Sequence, residues 1–290
     1  MSAVLVTGAG GNVGAAVVDH LQRLGHTARA ADIDPALLPA RHGVETVRLD
    51  LTDPRTFAPA LRGIRRLFLI RPPAIARVKP TLNAFLDAAA AAGVEHVVFS
   101  SVAGAETNRV VPHHRVEQHL IASNMAWTML RPGFFAQNLA TAYRTDIRDH
   151  DRLHVPAGDG RVAFVDTRDL GELAARILAD PAEHSGCGYT LTGPRAVTFQ
   201  QVADLLTDAL GRPIRYEPAT IPAYLRHLGT QGLPVPQRLV QTVLHAGLRR
   251  GDAETVDATL GQLLGRPPRD LAAYIADHRD LWTPTQVSVP

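Results

Sequence analysis

The 290-residue sequence has almost no cysteine, no surplus of either charge and no long apolar run, and each lack removes a class of answer. Its single cysteine, Cys187, has no partner for an intramolecular disulfide and stands in no His or Asp spacing suited to a metal, so a reducing, intracellular setting is expected. Basic and acidic residues number 30 and 28, and the net charge is only +2. The sequence pI is about 9.0. Even so, the basic side chains are scattered, and the pairs Arg65–Arg66 and Arg249–Arg250 are too short for a phosphate-tracking stripe, so no nucleic-acid partner is expected. The opening "MSAVLVTG" lacks the basic and apolar parts of a secretory signal, and no window of about 18 apolar residues follows. A soluble, cytoplasmic protein without a membrane partner is expected. The 13 histidines would suit a metal site, yet no i, i+4 pair falls on a predicted helix. His150 and His154 have that spacing within "DHDRLH", which reads as loop and strand. Solvated histidines and no metal are expected.

What is present is the composition of an ordinary globular chain, 46% hydrophobic and 20% charged, long enough for one large α/β domain or a main domain with a smaller lobe. Apolar periodicity alternates between strand and helix types along the first half. Strands are predicted at Ala3–Thr7, Thr27–Ala31, Val44–Leu49, Arg66–Ile70, "VEHVVFS" and "AWTMLR". Between them, Val13, Val17, Leu21 and Leu24 recur at helical spacing, a helix starts near Pro80 and stops at Gly93, and another covers Pro112–Ser123. Such alternation predicts a doubly wound parallel sheet, the Rossmann arrangement. Later, "RVAFVDTRDLGELAARILAD" reads as strand then helix, "YTLTGP" as strand and "TFQQVADLLTDALG" as helix, and beyond Ile221 the pattern is helical. Residues 1–150 are therefore expected to form the dinucleotide domain. Residues 151–290 are expected to be mainly a small helical lobe, with some segments returning to the sheet domain.

The stretch "TGAGGNVG" places Gly8, Gly11 and Gly14 at G-x-x-G-x-x-G spacing between a strand and a helix. In that setting bare backbone lets amides approach a pyrophosphate while the helix N-terminus faces its charge. Gly8, Gly11, Asn12, Val13 and Gly14 are thus candidate cofactor contacts. Asp32, eighteen residues after Gly14, ends the second strand, where a carboxylate would accept hydrogen bonds from the adenosine ribose and repel a 2′-phosphate. NAD is favoured over NADP on this reading. A second reading is open, in which Asp32 caps the turn at Asp34 and Pro35. In "LDLTDP", the Asp50 side chain and the Leu51 backbone are candidate adenine contacts.

Together "TGAGGNVG", Asp50–Leu51, "LIRPP", "VVFSSVAGAE", "VEQHLIASNMAWTMLRPGFFAQNL", "FVDTRDLGELAARIL" and "YTLTGPRAVTF" resemble the NmrA-like, atypical branch of the short-chain dehydrogenase/reductase superfamily, from Ala3 to about Gly211. The ending "LLGRPPRDLAAYIADHRDLW" is similar to that family's usual end. The resemblance implies a Rossmann domain, a small substrate lobe and a cleft between them. It also implies cofactor contacts from Ile70, Arg71 and Pro72 and from Pro132 to Phe134. Relatives that prefer NADP usually carry arginine after the second strand, where this chain has Ile33, a second pointer to NAD.

A further departure concerns catalysis. The Tyr-x-x-x-Lys pair of the wider superfamily is missing, and "VPHHRVEQHL" stands in its place. The lysine that some reductases of the family keep at the start of this helix aligns with His113, which shares a stripe with Val116, Glu117 and Leu120. An imidazole titrating near 6.5 could protonate an acceptor as hydride arrives, although His113 could equally be a first-turn surface residue. Ser101, after the fifth strand, is the other candidate catalytic residue, as a hydroxyl that holds a substrate oxygen; satisfying a loop backbone is its alternative role. Arg71 could meet a cofactor phosphate or an acidic substrate, or be an ordinary surface arginine. Phe134, Phe135 and Asn138 are candidate substrate contacts, the rings suited to a flat unsaturated molecule, with plain core packing of the two phenylalanines as the alternative.

The expected activity is NAD(P)H-dependent hydride transfer to a small conjugated carbonyl, quinone or imine. Two alternatives stay open. One is a redox-sensing regulator that binds the dinucleotide without turnover, and the other a non-redox isomerase or cyclase on the same fold. A homodimer through the C-terminal helices is compatible with their stripes.

Overall fold

Strand order in the main sheet reverses direction once, between the first and fourth strands. The computed structural model describes residues 4–283, so the expected first residue of the first strand, Ala3, lies outside the described residues. In chain order the elements are β1 Val4–Thr7, α1 Asn12–Arg23, β2 Ala28–Asp32, β3 Val44–Arg48, α2 Phe57–Leu61, β4 Arg66–Ile70, α3 Ala84–Ala91, β5 His96–Ser100, α4 Pro112–Ile121, β6 Ala126–Pro132 and α5 Arg144–His150. There follow β7 Arg152–Leu153, β8 Arg161–Val162, α6 Thr167–Ala179, β9 Cys187–Leu191, β10 Val197–Thr198, α7 Phe199–Leu210, β11 Arg215–Tyr216, α8 Ile221–Thr230, α9 Val235–Leu248, α10 Thr259–Leu264 and α11 Leu271–Asp277.

The chain divides into two units. The first comprises residues up to Pro132, Thr167–Leu191 and Thr259–Arg266; the second comprises Gly133–Asp166, Thr192–Ala258 and the residues from Pro267 onward. The partition therefore falls near 132 rather than 150, with two later segments returning to the first unit.

In the first unit a seven-stranded sheet runs in the order β3-β2-β1-β4-β5-β6-β9, and every neighbouring pair is parallel. The continuous apolar runs of β1 and β4 explain their central places, since a strand covered on both faces has no polar side to show. β3, whose side chains are half-buried or exposed, takes an edge. On one face α1 and α6 pack together and against the strands. On the other, Leu67, Leu69, Val97, Phe99 and Met129 join Phe57, Phe85, Leu86 and Leu120 in a single core. This is the doubly wound architecture.

Two local expectations change. Leu24 is 47% exposed because α1 ends at Arg23 and Leu24 is its cap, past the buried stripe of Val13, Val17 and Leu21. His150, expected in loop and strand, is the last residue of α5, a helix too short to show an apolar stripe. Arg66 also acts beyond its strand: Nη1 donates to the carbonyls of Leu178 and Ala179 at 2.6 and 2.8 Å, closing the C-terminal end of α6.

The second unit is mostly helical, with two two-stranded pairs, β7 with β11 and β8 with β10. Its core gathers Tyr143, Leu153, Phe164, Phe199, Tyr274 and Trp282. The Trp282 indole N–H donates to the Leu139 carbonyl at 2.9 Å, so a large apolar ring is buried without an orphaned donor.

Candidate functional site

The β1 turn is built from missing side chains. Gly8 has φ +60°, and a Cβ there would meet Ile70 Cγ2 at 2.7 Å. The Gly11 amide donates to the Gly8 carbonyl at 3.0 Å, and a Cβ on Gly14 would overlap that same carbonyl. α1 then begins without a capping side chain and without an acid in its first turn. The first bond into the helix comes from Ala15 to the Gly11 carbonyl, so the Asn12, Val13 and Gly14 amides have no acceptor among the described residues. Three unpaired amides at the positive end of a 12-residue helix, over backbone cleared of side chains, fit a pyrophosphate. The residues present therefore fit a dinucleotide.

Asp32 secures this loop from β2. One carboxylate oxygen accepts from the Gly10 amide at 3.0 Å and the other from the Ile33 amide at 2.8 Å. The turn cap belongs instead to Asp34, which accepts from the Ala36 amide at 3.2 Å. Ile33 beside it is 60% exposed. The Asp50 Oδ1 accepts from both the amide and the hydroxyl of Thr52, at 2.8 and 2.6 Å, in an Asx turn. The Leu51 side chain is in the core.

At the end of β4, Ile70 donates its amide to the Thr7 hydroxyl at 3.0 Å, locking β4 to β1. Arg71 turns toward α4: Nε donates to His113 Nε2 at 3.1 Å, and Nη1 donates to the carbonyls of Pro72, Pro73 and Ile75 at 3.1, 3.3 and 2.6 Å. His113 is 8% exposed. Burial, and secondarily the Arg71 charge, push its pKa down to about 3. The expected titration near 6.5 is thereby corrected: His113 is a neutral imidazole at physiological pH, with its Nε2 lone pair toward Arg71 and its proton assigned to Nδ1. Burial lowers the Arg71 pKa as well.

Ser101 spends its proton inside the protein. Its hydroxyl donates to Glu117 Oε1 at 2.5 Å, and Arg131 grips the same carboxylate from Nε and Nη2 at 3.0 and 2.7 Å. Glu117 is fully buried, and Glu106 adds a second ion pair to Arg131 at 3.3 Å. A short charge-assisted bond of this kind leaves Ser101 with lone pairs and no free proton, contrary to the expected donor. Glu117 and Arg131 were not expected at the site. The available signal was an acid on the apolar stripe of an amphipathic helix, a position that demands a buried partner.

Pro132 closes β6, and its carbonyl accepts from the Ala103 amide at 2.9 Å. Phe134, Phe135 and Asn138 belong to the second unit. There Phe134 meets Phe164 and His245 edge-on at centroid distances of 5.6 and 5.7 Å, and Phe135 forms a backbone bridge with Val165. His245 is buried, with its pKa pushed down to about 4; Nδ1 donates to the Gln241 carbonyl at 2.7 Å and Nε2 accepts the Tyr143 hydroxyl. Among the described residues no group of three His, Cys, Asp or Glu side chains is placed to hold a metal, and no helix is long and apolar enough to cross a membrane.

The NmrA-like family model matches residues 1–274. The chain is 34% identical over 281 residues to the NAD(P)H azoreductase of Xenophilus azovorans, covering 95% of this chain and 97% of the relative. It is 31% identical over 287 residues to a (4-alkanoyl-5-oxo-2,5-dihydrofuran-3-yl)methyl phosphate reductase of Streptomyces griseus subsp. griseus, covering 97% and 99%. The crystal structure of an Escherichia coli NADPH-dependent quinone oxidoreductase complexed with NADPH is similar at a TM-score of 0.84 and 27% identity, covering 96% and 99%. The chain belongs to the NmrA-like family.

Proposed function

We propose that this protein is an NAD(P)H-dependent oxidoreductase that delivers hydride to a small conjugated carbonyl, quinone or imine. The observation that carries the reading is the trio of unpaired amides, Asn12, Val13 and Gly14, above the side-chain-free turn. Relatives of similar length named as azoreductase, quinone oxidoreductase and (4-alkanoyl-5-oxo-2,5-dihydrofuran-3-yl)methyl phosphate reductase support the acceptor class. When bound, the dinucleotide supplies the hydride. The chain's part is to seat the pyrophosphate on α1, to hold the adenosine end beside Asp32, Asp50 and Leu51, to border the cofactor further with Ile70, Pro72 and Pro132, and to turn Arg71 toward the acceptor. With His113 neutral and the Ser101 hydroxyl donating its hydrogen bond to Glu117, protonation of the product falls to water.

The cofactor preference we propose is NADH. The azoreductase takes its name from both cofactors and the quinone oxidoreductase was solved with NADPH, so the preference rests on Asp32 and Ile33 alone. A 2′-phosphate beside the Asp32 carboxylate would forfeit charge-assisted hydrogen bonds of about 1.5–3 kcal/mol, a roughly ten- to hundredfold preference. The test follows oxidation of NADH and NADPH by absorbance against quinones, enones, azo dyes and cyclic imines, for wild type and Asp32→Ala. NADH-favoured turnover that becomes even-handed in the variant is expected. Binding of both cofactors with oxidation of neither would replace the reading with a redox sensor.

A further inference from the structure

We propose that Arg71, aimed by His113, is the electrophile that stabilises the oxyanion created on the acceptor by hydride delivery, an inference that rests on the reductase reading above. In open α/β sheets, ligands bind beyond the carboxyl ends of the strands where the order reverses. Here the reversal lies between β1 and β4. The glycine turn leaves β1, and Arg71 is the first residue after β4. The guanidinium is therefore placed at the reversal by topology.

Its orientation is equally determined. Nε is bound to His113, and Nη1 is shared among three carbonyls of the following loop. Nη2 has no partner among the described residues, and it is absent from the buried polar atoms left unpaired, which are Asn83 Oδ1 and Thr242 Oγ1. Nη2 is thus not fully buried, and its two N–H donors are left over on a cation that is held through Nε and Nη1. A donor fixed before the reaction stabilises developing charge without first reorganising. Arginine retains its charge even where burial lowers its pKa, so it contributes this field throughout.

Hydride addition to a carbonyl carbon forms a C–H bond and moves the C=O π pair onto oxygen, leaving the dinucleotide oxidised. That oxygen carries a negative charge until water protonates it. Two charge-assisted hydrogen bonds from Nη2 meet the charge without surrendering a proton. A phenol beside a lysine serves this purpose in Tyr-x-x-x-Lys sequences, and this chain lacks the pair. His113 is a positioning residue: its neutral ring offers the lone pair that turns the guanidinium, and a protonated ring would repel it.

The test reads capture of an oxyanion directly, using 4-nitrophenol and the free protein at a pH where the unbound probe is mostly protonated. Binding to wild type is expected to raise the ionised fraction about tenfold, seen as phenolate absorbance, and Arg71→Gln should abolish the rise. His113→Leu should lose most of it, while His113→Gln, whose amide oxygen can accept from Nε, should restore it. In turnover, Arg71→Gln should lower kcat about a hundredfold with an unchanged Kd for NADH. Circular dichroism and thermal melting establish that each variant is folded, and Arg71→Lys keeps the charge should Arg71→Gln fail to fold. No phenolate bound by wild type, or phenolate capture indifferent to Arg71, overturns the proposal. A variant that weakens NADH binding while keeping phenolate capture also overturns it and makes Arg71 a cofactor contact. Phenolate capture that needs Arg71, in a protein that oxidises no reduced dinucleotide, supports the oxyanion site and overturns the reductase reading instead.

Discussion

Glu117 is fully buried on α4, yet each of its oxygens is used: one receives Ser101 and Arg131, the other Arg131 again. The Glu117 hydrogen bond, working against burial and with the charges of Glu117 and Glu106, holds the Arg131 pKa above its ordinary value. Such a pair adds little over an apolar substitute, but losing one partner strands the other in low dielectric. Glu117→Leu should therefore destabilise the protein by roughly 3–5 kcal/mol in urea unfolding. The double variant Glu117→Leu with Arg131→Met should recover much of the loss. Equal losses in the single and double variants would show that the cost lies in packing rather than in an unpaired charge. The same residue-scale logic separates Asp32 from Asp34. Both sit at the end of β2, but Asp34 caps a local turn and Asp32 reaches 22 residues back to Gly10.

At the scale of elements, local sequence signals and packing agree most closely in α7. Thr198 accepts from the Gln201 amide at 3.2 Å, and Gln201 Oε1 accepts from the Thr198 amide at 2.9 Å, a reciprocal capping box. The helix then buries Phe199, Val202, Ala203 and Leu206 in the core of the second unit and ends at Gly211 in the left-handed region. Thr198→Ala should cost about 1 kcal/mol by urea unfolding, and Thr198→Ser should cost less than half of that. A neutral Thr198→Ala would mean that the burial of Phe199 alone sets the start of the helix. α1 is the opposite case. It lacks a capping side chain at its N-terminus, so its first-turn amides stay unpaired.

For the whole molecule, three buried histidines make acid the sensitive direction. His96, His113 and His245 have their pKa values pushed down to about 4, 3 and 4, in each case chiefly by burial. An unfolded histidine titrates near 6.5, so below that pH the unfolded chain binds protons that the native state refuses. Stability is then undiminished above about pH 6.5 and falls as pH drops toward 4. The slope approaches about 1.4 kcal/mol per pH unit for each such histidine. Urea midpoints measured from pH 7 to 4.5 should fall steeply, and His245→Phe should flatten part of that fall if it folds. A flat profile in wild type would mean that these rings are reached by protons in the native state. Turnover, by contrast, should show no limb near pH 6.5 belonging to His113.

Much of this protein was legible in the sequence, because the relevant signals are local. The alternation of strand and helix periods foretold a parallel doubly wound sheet, Arg66–Ile70 appears as a strand with those bounds, and the glycine spacing located the tight turn after β1 that has no room for side chains. Glycine φ values, helix stripes and strand runs depend on a few neighbouring residues, so no knowledge of the rest of the chain is needed. The short α5 and the exposure of Leu24 escaped, since a helix of seven residues carries too few turns to show a stripe and helix ends are set by caps. Only tertiary structure decided the chemistry of the side chains. Asp32 meets Gly10, Arg71 meets His113 across 42 residues, and Ser101 meets Glu117 because sheet order brings distant strand ends and the start of α4 together. Protonation state follows from that burial, which is why His113 reads as an acid in sequence and is a neutral partner of Arg71 in the fold.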